Sequence, residues 1–189
     1  MKAVVFDYGA GNLHSLSRAL TAVGLTVRVD TDAARAVRDS DVLVLPGVGA
    51  FGQAVERIGE ARTKLRDALR SGHPCIGICL GTQLLSASSE EGRGTGIGLL
   101  DGTVARLGGR RLPHMGWSRV SDFGEMYFAH TYVCRPTDPG VVGAWASHEQ
   151  YEFVAMVRTA RTVGVQFHLE KSSRAGLALL ARLCREVMS

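Results

Sequence analysis

The sequence has few prolines, aromatic residues and cysteines, and it lacks any long hydrophobic run. With 5 prolines in 189 residues, 46% hydrophobic and 21% charged, the composition excludes a disordered, collagen-like or low-complexity protein. No apolar stretch approaches the roughly 18 residues that would cross a bilayer. The first residues also lack the apolar segment and cleavage site of a signal peptide. We therefore expect a cytoplasmic protein with no membrane partner.

The shortage of aromatic residues, 6% of the chain, also argues against nucleic-acid binding, because too few side chains are available for stacking on bases. The net charge of +4 comes from basic residues that are dispersed rather than clustered. The four cysteines contain no CxxC pair, so we expect reduced thiols rather than disulfides or a zinc site. We expect no metal and no other cofactor.

Apolar runs and helical patterns alternate through the first half of the chain. They predict strands at residues 3–8, 25–29, 41–45 and 74–78, and helices at about 12–24, 51–69 and after Gly81. The second half predicts strands at 99–107, 115–120, 126–135, 143–146, 153–158 and 163–168, and a closing helix at 172–187. This order indicates one α/β domain over residues 1–189, with a mostly parallel central sheet flanked by helices and a smaller antiparallel sheet.

Residues 77–81, GICLG, have the G-x-nucleophile-x-G form of a nucleophile elbow, with Cys79 at the nucleophile position. The motif falls between an apolar strand and a predicted helix, where such elbows occur. The glycines allow the tight turn, and a helix N-terminus favours negative charge on the sulfur. Most single cysteines on buried strands only pack in the core, but the combination here favours a nucleophile.

A nucleophilic sulfur needs a proton donor, and His168 with Glu170 is the candidate pair. If the preceding strand continues through both residues, their side chains point the same way. The carboxylate could then bind one imidazole nitrogen while the other faces the thiol. An oxyanion hole would take one N–H from Leu80 and a second from the glycine-rich loop at 46–49.

The same loop contains a G-x-G-x-x-G pattern at residues 47–52, which also occurs in dinucleotide-binding proteins. It follows the third predicted strand rather than the first, and residues 69–73 (LRSGH), about twenty further on, offer no acidic residue at a strand end to bind a ribose. We therefore do not predict a dinucleotide site.

Six segments together resemble the class I glutamine amidotransferases, and more narrowly the glutaminase subunits of imidazole glycerol phosphate synthase in histidine biosynthesis. They are residues 7–13 (DYGAGNL), 46–52 (PGVGAFG), 77–83 (GICLGTQ), 113–117 (PHMGW), 127–132 (YFAHTY) and 166–172 (QFHLEKS). The elbow marks only the superfamily, whereas PHMGW and the EKS ending make the narrower resemblance specific. The resemblance covers nearly the whole chain and implies the flavodoxin-like fold of that class.

The resemblance also implies roles for individual residues. Cys79 would attack the side-chain amide of glutamine, His168 would act as acid and base, and Glu170 would orient His168. The further site residues implied are Val48 and Leu80 in the oxyanion hole and Gly49 and Gln83 at the substrate.

The partner implied by the resemblance is a (β/α)8 cyclase subunit in a heterodimer. Ammonia would pass to that subunit, where imidazole glycerol phosphate and aminoimidazole carboxamide ribonucleotide form. The residues expected at the subunit interface are Asn12, Trp117, Tyr127 and Lys171.

Three positions depart from the family pattern. Leu169 replaces a proline between the histidine and the glutamate, so we expect a less rigid alignment of Glu170. Thr82 replaces a methionine, which should change packing beside the elbow. Ser118 replaces an asparagine, which should remove a polar contact at the interface.

Two other interpretations stay open on the sequence alone. One is the amidotransferase of another pathway, such as anthranilate, pyridoxal phosphate or guanylate synthesis. The other is a non-catalytic redox sensor in which Cys79 is oxidised. His168 and Glu170 count against the sensor, because a sensor needs no acid to protonate a leaving amine.

Overall fold

The computed structural model describes residues 1–189 and contains two β-sheets, with helices packed on the larger one. The helices are α1 (Leu13–Ala22), α2 (Ala33–Arg38), α3 (Phe51–Ile58), α4 (Ala61–Arg70), α5 (Leu80–Gln83) and α6 (Ser173–Met188). The strands are β1 (Lys2–Phe6), β2 (Thr26–Asp30), β3 (Val42–Leu45), β4 (Cys75–Ile78), β5 (Ser86–Ser89), β6 (Leu100–Arg106), β7 (His114–Val120), β8 (Gly124–His130), β9 (Tyr132–Pro136), β10 (Val142–His148), β11 (Tyr151–Arg158) and β12 (Thr162–Val165). None of the helices has the length and apolarity needed to cross a bilayer.

The larger sheet has nine strands in the order β2-β1-β3-β4-β12-β11-β10-β7-β8. The first five are parallel to one another, as expected where helices connect successive strands. The remaining four are joined by short connections and pair antiparallel. The expected α/β class, with helices on a central sheet and a second, smaller sheet, is confirmed.

The second sheet contains β5, β6 and β9, in that order. Its first pair is parallel and its second is antiparallel, so this sheet is mixed rather than purely antiparallel. Most antiparallel strands predicted in the second half extend the large sheet instead. They do so because β11 pairs antiparallel with β12, and β10, β7 and β8 then follow β11 in order to the edge of the large sheet.

Several predicted element boundaries are wrong. The single helix predicted at 51–69 is broken at Gly59, whose φ of 49° and ψ of −130° end α3 before α4 begins. The strand predicted at 126–135 is two strands, since β8 belongs to the large sheet and β9 to the small one. The strand predicted at 163–168 ends at Val165. Helix α2 and strand β5 were not predicted.

Alternate residues of the parallel strands are buried on opposite faces of the large sheet. In β1, Ala3 and Val5 belong to one apolar cluster, and Val4 and Phe6 belong to the other. Helices α1 and α6 cover the first face, and α2, α3 and α4 cover the second. The sheet is therefore a rigid support whose parallel strands all end at one edge.

Candidate active site

Cys79 lies at the carboxyl end of β4, in the turn that leads into α5. Its φ of 51° and ψ of −106° are strained for a residue with a side chain, which is the hallmark of a nucleophile elbow. The Cys79 N–H donates to the Val165 carbonyl at 2.7 Å, so β12 holds the turn in place. The residue is 4% exposed, and its side chain lines a small cavity.

The two glycines beside Cys79 are required by close backbone packing. A Cβ on Gly81 would overlap the carbonyl oxygen of Leu45 at the end of β3. A Cβ on Gly77 would lie 3.0 Å from the Gly81 carbonyl group. The turn can therefore pack against the neighbouring strand only with glycine at these positions, as the motif predicted.

The helix after the elbow is a single turn, and it begins at Leu80 rather than after Gly81 as predicted. Leu80 is its first residue, and the first N–H groups of a helix have no intrahelical acceptor. The Leu80 N–H is thus positioned beside the nucleophile as a donor. The helix dipole contributes less than a long helix would, because α5 covers only Leu80–Gln83.

His168 and Glu170 are brought together by a 3₁₀ turn and not by the continued strand that the sequence suggested. The chain leaves β12 at Val165, and the turn spans Leu169–Lys171. Within it, His168 Nδ1 lies 2.9 Å from Glu170 Oε1, and the two side chains are 2% and 6% exposed. The pair forms because the turn brings residues two apart into contact on the same side.

The surroundings of His168 favour its charged form. Burial by itself disfavours the imidazolium, but the nearby Cys79 sulfur, together with the hydrogen bond and the negative charge of Glu170, raises the pKa of His168 to about 9. Nε2 of His168 and Oε2 of Glu170 are buried without a hydrogen-bond partner in good geometry. The imidazole is therefore held at Nδ1 and free at Nε2, as a proton donor to a substrate requires.

The loop after β3 packs directly against the elbow. The Tyr8 hydroxyl donates to the Pro46 carbonyl, and a Cβ on Gly47 would lie 2.6 Å from the Cβ of Leu80. Beyond this contact, Val48 and Gly49 are exposed, and Gly49 has a φ of 125°. The loop is thus anchored at its start and free to orient its later N–H groups.

The residues predicted to bind the substrate and the oxyanion all line one cavity of about 60 Å³. Its walls include Val48, Gly49, Cys79, Leu80 and Gln83. His168 and Glu170 line a second small cavity, together with Val48 and Asn12. The seven residues predicted for catalysis and substrate binding therefore line two cavities that share Val48, and their roles stay predictions.

Four residues near the Cys79 sulfur or lining its cavity were not predicted from the sequence. Gln166 Nε2 lies 3.6 Å from Cys79 Sγ, and His130, Tyr132 and Glu91 line the same cavity. Gln166, His130 and Tyr132 fall inside segments that carry the family resemblance, which is a signal that could have found them. Glu91, whose carboxylate accepts from the Phe51 N–H at 2.8 Å, gave no such signal.

Two of the departures from the family pattern make specific hydrogen bonds. The Thr82 hydroxyl lies 2.9 Å from the Gly77 carbonyl and 2.7 Å from the Val165 carbonyl, so it links β4 to β12 rather than only filling space. The Ser118 hydroxyl lies 2.9 Å from Nε2 of His114.

Three of the four predicted interface residues form one surface cluster. Trp117, which is 50% exposed, packs edge-on against Tyr127 with ring centres 5.9 Å apart, and Lys171 Nζ lies 5.7 Å from the centre of the Tyr127 ring. Met115, 63% exposed on the same strand face as Trp117, extends the cluster. Asn12 is exposed and accepts from the Ser15 N–H at 3.2 Å, so it also caps α1.

An elbow cysteine and a histidine–glutamate pair at the strand ends of this α/β sheet are the arrangement that the resemblance to the glutamine amidotransferases implies. Comparison with protein families agrees: the glutamine amidotransferase class-I family matches residues 4–186, and the chain belongs to that family. Two solved structures share the fold. One is titled "Crystal structure of glutamine amidotransferase" (TM-score 0.74, 18% identity, 97% of this chain and 98% of that chain). The other is titled "Structure of PurLQS from Thermotoga maritima" (TM-score 0.72, 18% identity, 96% and 97%).

Within this class, the chain is similar to curated proteins that share one name. The protein named "Imidazole glycerol phosphate synthase subunit HisH" from Aquifex aeolicus is 40% identical, over 98% of this chain and 97% of its own. The protein of the same name from Gloeothece citriformis is 38% identical, over 97% and 95%. Both relatives are named as subunits of one synthase.

Proposed function

We propose that this chain is the glutaminase subunit of an imidazole glycerol phosphate synthase, and that it acts in the cytoplasm as one amidotransferase domain over residues 1–189. It hydrolyses glutamine to glutamate and ammonia. The observation that carries this proposal is the strained elbow at Cys79, with the buried His168–Glu170 pair beside it. The similarity to synthase subunits along nearly the whole chain supports the particular pathway.

The proposed reaction begins with the Cys79 thiol proton transferred to Nε2 of His168, and the thiolate Sγ then attacks the side-chain amide carbon of glutamine. The carbonyl oxygen becomes an oxyanion, which accepts hydrogen bonds from the Leu80 N–H and from the N–H of Val48. Collapse of this intermediate breaks the C–N bond, and the imidazolium of His168 gives its proton to the departing nitrogen as ammonia. A γ-glutamyl thioester on Cys79 remains.

Hydrolysis of the thioester uses the same groups in reverse. His168, now neutral, accepts a proton from an incoming water molecule as the water oxygen bonds to the acyl carbon. The second tetrahedral intermediate releases glutamate and the Cys79 thiolate. Glu170 stays ionised throughout, because its role is to hold Nδ1 of His168 and to stabilise the imidazolium.

A partner subunit is needed because ammonia in water at neutral pH is mostly protonated and is then no longer a nucleophile. We propose that a (β/α)8 cyclase docks on the cluster of Trp117, Tyr127 and Lys171, with Asn12 nearby. The Tyr127 carbonyl accepts from the His168 N–H at 2.9 Å, so this surface is one hydrogen bond from the proposed acid. Ammonia would pass from the site directly to the cyclase.

The test combines the chain with the cyclase subunit and its nucleotide substrate. Cys79→Ala should abolish glutamine-dependent formation of imidazole glycerol phosphate, while formation from added ammonia continues. The cyclase and its ligand should also stimulate glutamate release by the unaltered chain. Stimulation by an anthranilate, pyridoxal phosphate or guanylate synthase instead would contradict the pathway, and full glutaminase activity in Cys79→Ala would contradict the nucleophile.

A further inference from the structure

Two histidines form a buried polar contact in the antiparallel half of the large sheet, next to the active site. His114 on β7 and His130 on β8 are directly opposite in register, and His114 Nδ1 lies 3.1 Å from His130 Nε2. They are 2% and 6% exposed and pack against the rings of Phe128 and Phe153. His148 stacks on His114 with ring centres 4.2 Å apart. None of these residues belongs to the mechanism above.

The surrounding groups determine where each proton lies. His130 Nδ1 is 3.2 Å from the Tyr132 carbonyl, which can only accept, so Nδ1 of His130 carries the proton. Burial lowers the pKa of His130 to about 3 and that of His114 to about 4, so both rings are neutral at pH 7. Nε2 of His130 must therefore accept from Nδ1 of His114. Nε2 of His114 then accepts from the Ser118 hydroxyl at 2.9 Å.

The series of hydrogen bonds from Ser118 through His114 and His130 ends at Tyr132, which lines the cavity that contains Cys79. The Tyr132 carbonyl, besides accepting from His130, accepts from Gln83 Nε2 at 2.8 Å. Gln83 Nε2 is also 3.4 Å from Gln166 Oε1, so both of its N–H groups have acceptors. The amide oxygen of Gln83 is then the atom left to bind a ligand. It can only accept, so it suits an ammonium or amide N–H.

We propose that His130 is a positioning residue for glutamine. Its Nδ1–H holds the Tyr132 carbonyl, that carbonyl holds the Gln83 amide nitrogen, and the Gln83 oxygen is thereby turned toward an N–H donor of the substrate. His114 and Ser118 complete the series of hydrogen bonds and keep His130 in the tautomer that is protonated at Nδ1. This inference rests on the proposed glutaminase function, and it assigns to His130 an effect on substrate binding rather than on the chemical step.

The kinetic test uses the chain together with its cyclase partner. His130→Leu, which keeps much of the volume but removes both nitrogens, should raise KM for glutamine by about tenfold or more, with kcat within about threefold of the unaltered chain. His130→Asn should bring KM back to within about threefold, because the asparagine Nδ2–H can donate to the Tyr132 carbonyl. His73→Leu is the matched control. His73 also bonds to a serine hydroxyl, that of Ser40 at 3.0 Å, but it precedes β4 at the opposite end of the sheet.

The hydrogen-bond chain is tested separately by ¹⁵N NMR of the histidine rings. Both His114 and His130 should be neutral and protonated at Nδ1 between about pH 5 and 8. An Nε2-protonated His130 would overturn the positioning role. So would a loss of kcat with unchanged KM in folded His130→Leu, or a KM in His130→Asn that stays as high as in His130→Leu. If the unaltered chain hydrolyses no glutamine with its partner, the proposed function itself fails. Normal hydrolysis with unchanged KM in His130→Leu would refute only the inference.

Discussion

The charge of Glu170 is expected to set the alkaline limit of activity through its effect on His168. Glu170→Gln keeps the shape of the side chain but removes the negative charge that lies 2.9 Å from Nδ1 of the imidazole. Both side chains are almost fully buried, so water screens this interaction little. The substitution therefore lowers the affinity of His168 for its proton.

The size of the effect follows from the environment of the pair. The pKa of His168 is about 9, against 6.5 for an unperturbed histidine, and Glu170 supplies part of what raises it. Loss of a neighbouring opposite charge changes a pKa by about 1–3 units, so the pKa of His168 should fall to roughly 6–8. At about 1.4 kcal/mol per unit, the protonated imidazole loses roughly 1–4 kcal/mol of stabilisation.

The assay is the pH dependence of kcat/KM for glutamine hydrolysis in the presence of the cyclase. The alkaline limb should lie near pH 9 in the unaltered chain and move down by at least about one unit in Glu170→Gln. Glu56→Gln, on the exposed face of α3, is the control and should leave the limb in place. An unmoved limb in Glu170→Gln would refute the assignment of His168 and Glu170 as an interacting acid and orienting base.

The same pKa predicts a pH dependence of stability. Because the pKa of His168 is higher in the folded chain than in the unfolded one, its stabilising contribution is complete below about pH 6.5 and is lost as the pH rises through 9. In Glu170→Gln this loss should occur at lower pH. Urea unfolding at pH 6 and pH 9 measures it, and an identical loss in both proteins would contradict the reasoning.

Three further predictions concern the elbow, the turn after His168 and the docking surface. Gly81→Ala should lower stability by about 3 kcal/mol, or roughly 6–12 °C in Tm, because its Cβ overlaps the backbone of β3, whereas Gly52→Ala in α3 should be neutral or slightly stabilising. Leu169→Pro should leave kcat/KM within about threefold, since the preceding residue has the extended backbone that proline requires and proline is tolerated at the first position of a helical turn. Trp117→Ala should weaken cyclase binding by about 30-fold in calorimetry, while Val29→Ala at the far edge of the sheet should not. Equal stability for the two alanine variants, inactivity of the proline variant, or equal binding by the last pair would each contradict the corresponding interpretation.

The parallel half of the fold could be predicted because its determinants are local. Strands β1, β3 and β4 are short apolar runs bounded by turn residues, and each glycine of the elbow has a single geometric reason to be present. Helix α2, by contrast, has six residues, which is too short for an apolar pattern to show, and its one local signal was the N-cap residue Asp32. The break at Gly59 was missed because a lone glycine is tolerated inside many helices.

The candidate site was predictable in its residues but less so in its geometry. The His168–Glu170 spacing suggested a strand, whereas the pair is made by a turn whose conformation depends on packing of the fully buried Leu169. The division of residues 126–135 between two sheets depends on which strands lie nearby, and no local signal encodes it. The contact between His114 and His130 likewise depends on the register of β7 and β8, so it could not be predicted from two histidines that lie sixteen positions apart in the sequence.

The most direct measurement of the central claim is to stop glutamine turnover by rapid acid quenching and to locate the acyl group by peptide mass spectrometry. A γ-glutamyl adduct should appear on the peptide that contains Cys79, and none should appear on Cys75, Cys134 or Cys184, which are buried in the core. An adduct on another cysteine, or glutamate release without any adduct on Cys79, would contradict covalent catalysis at the elbow.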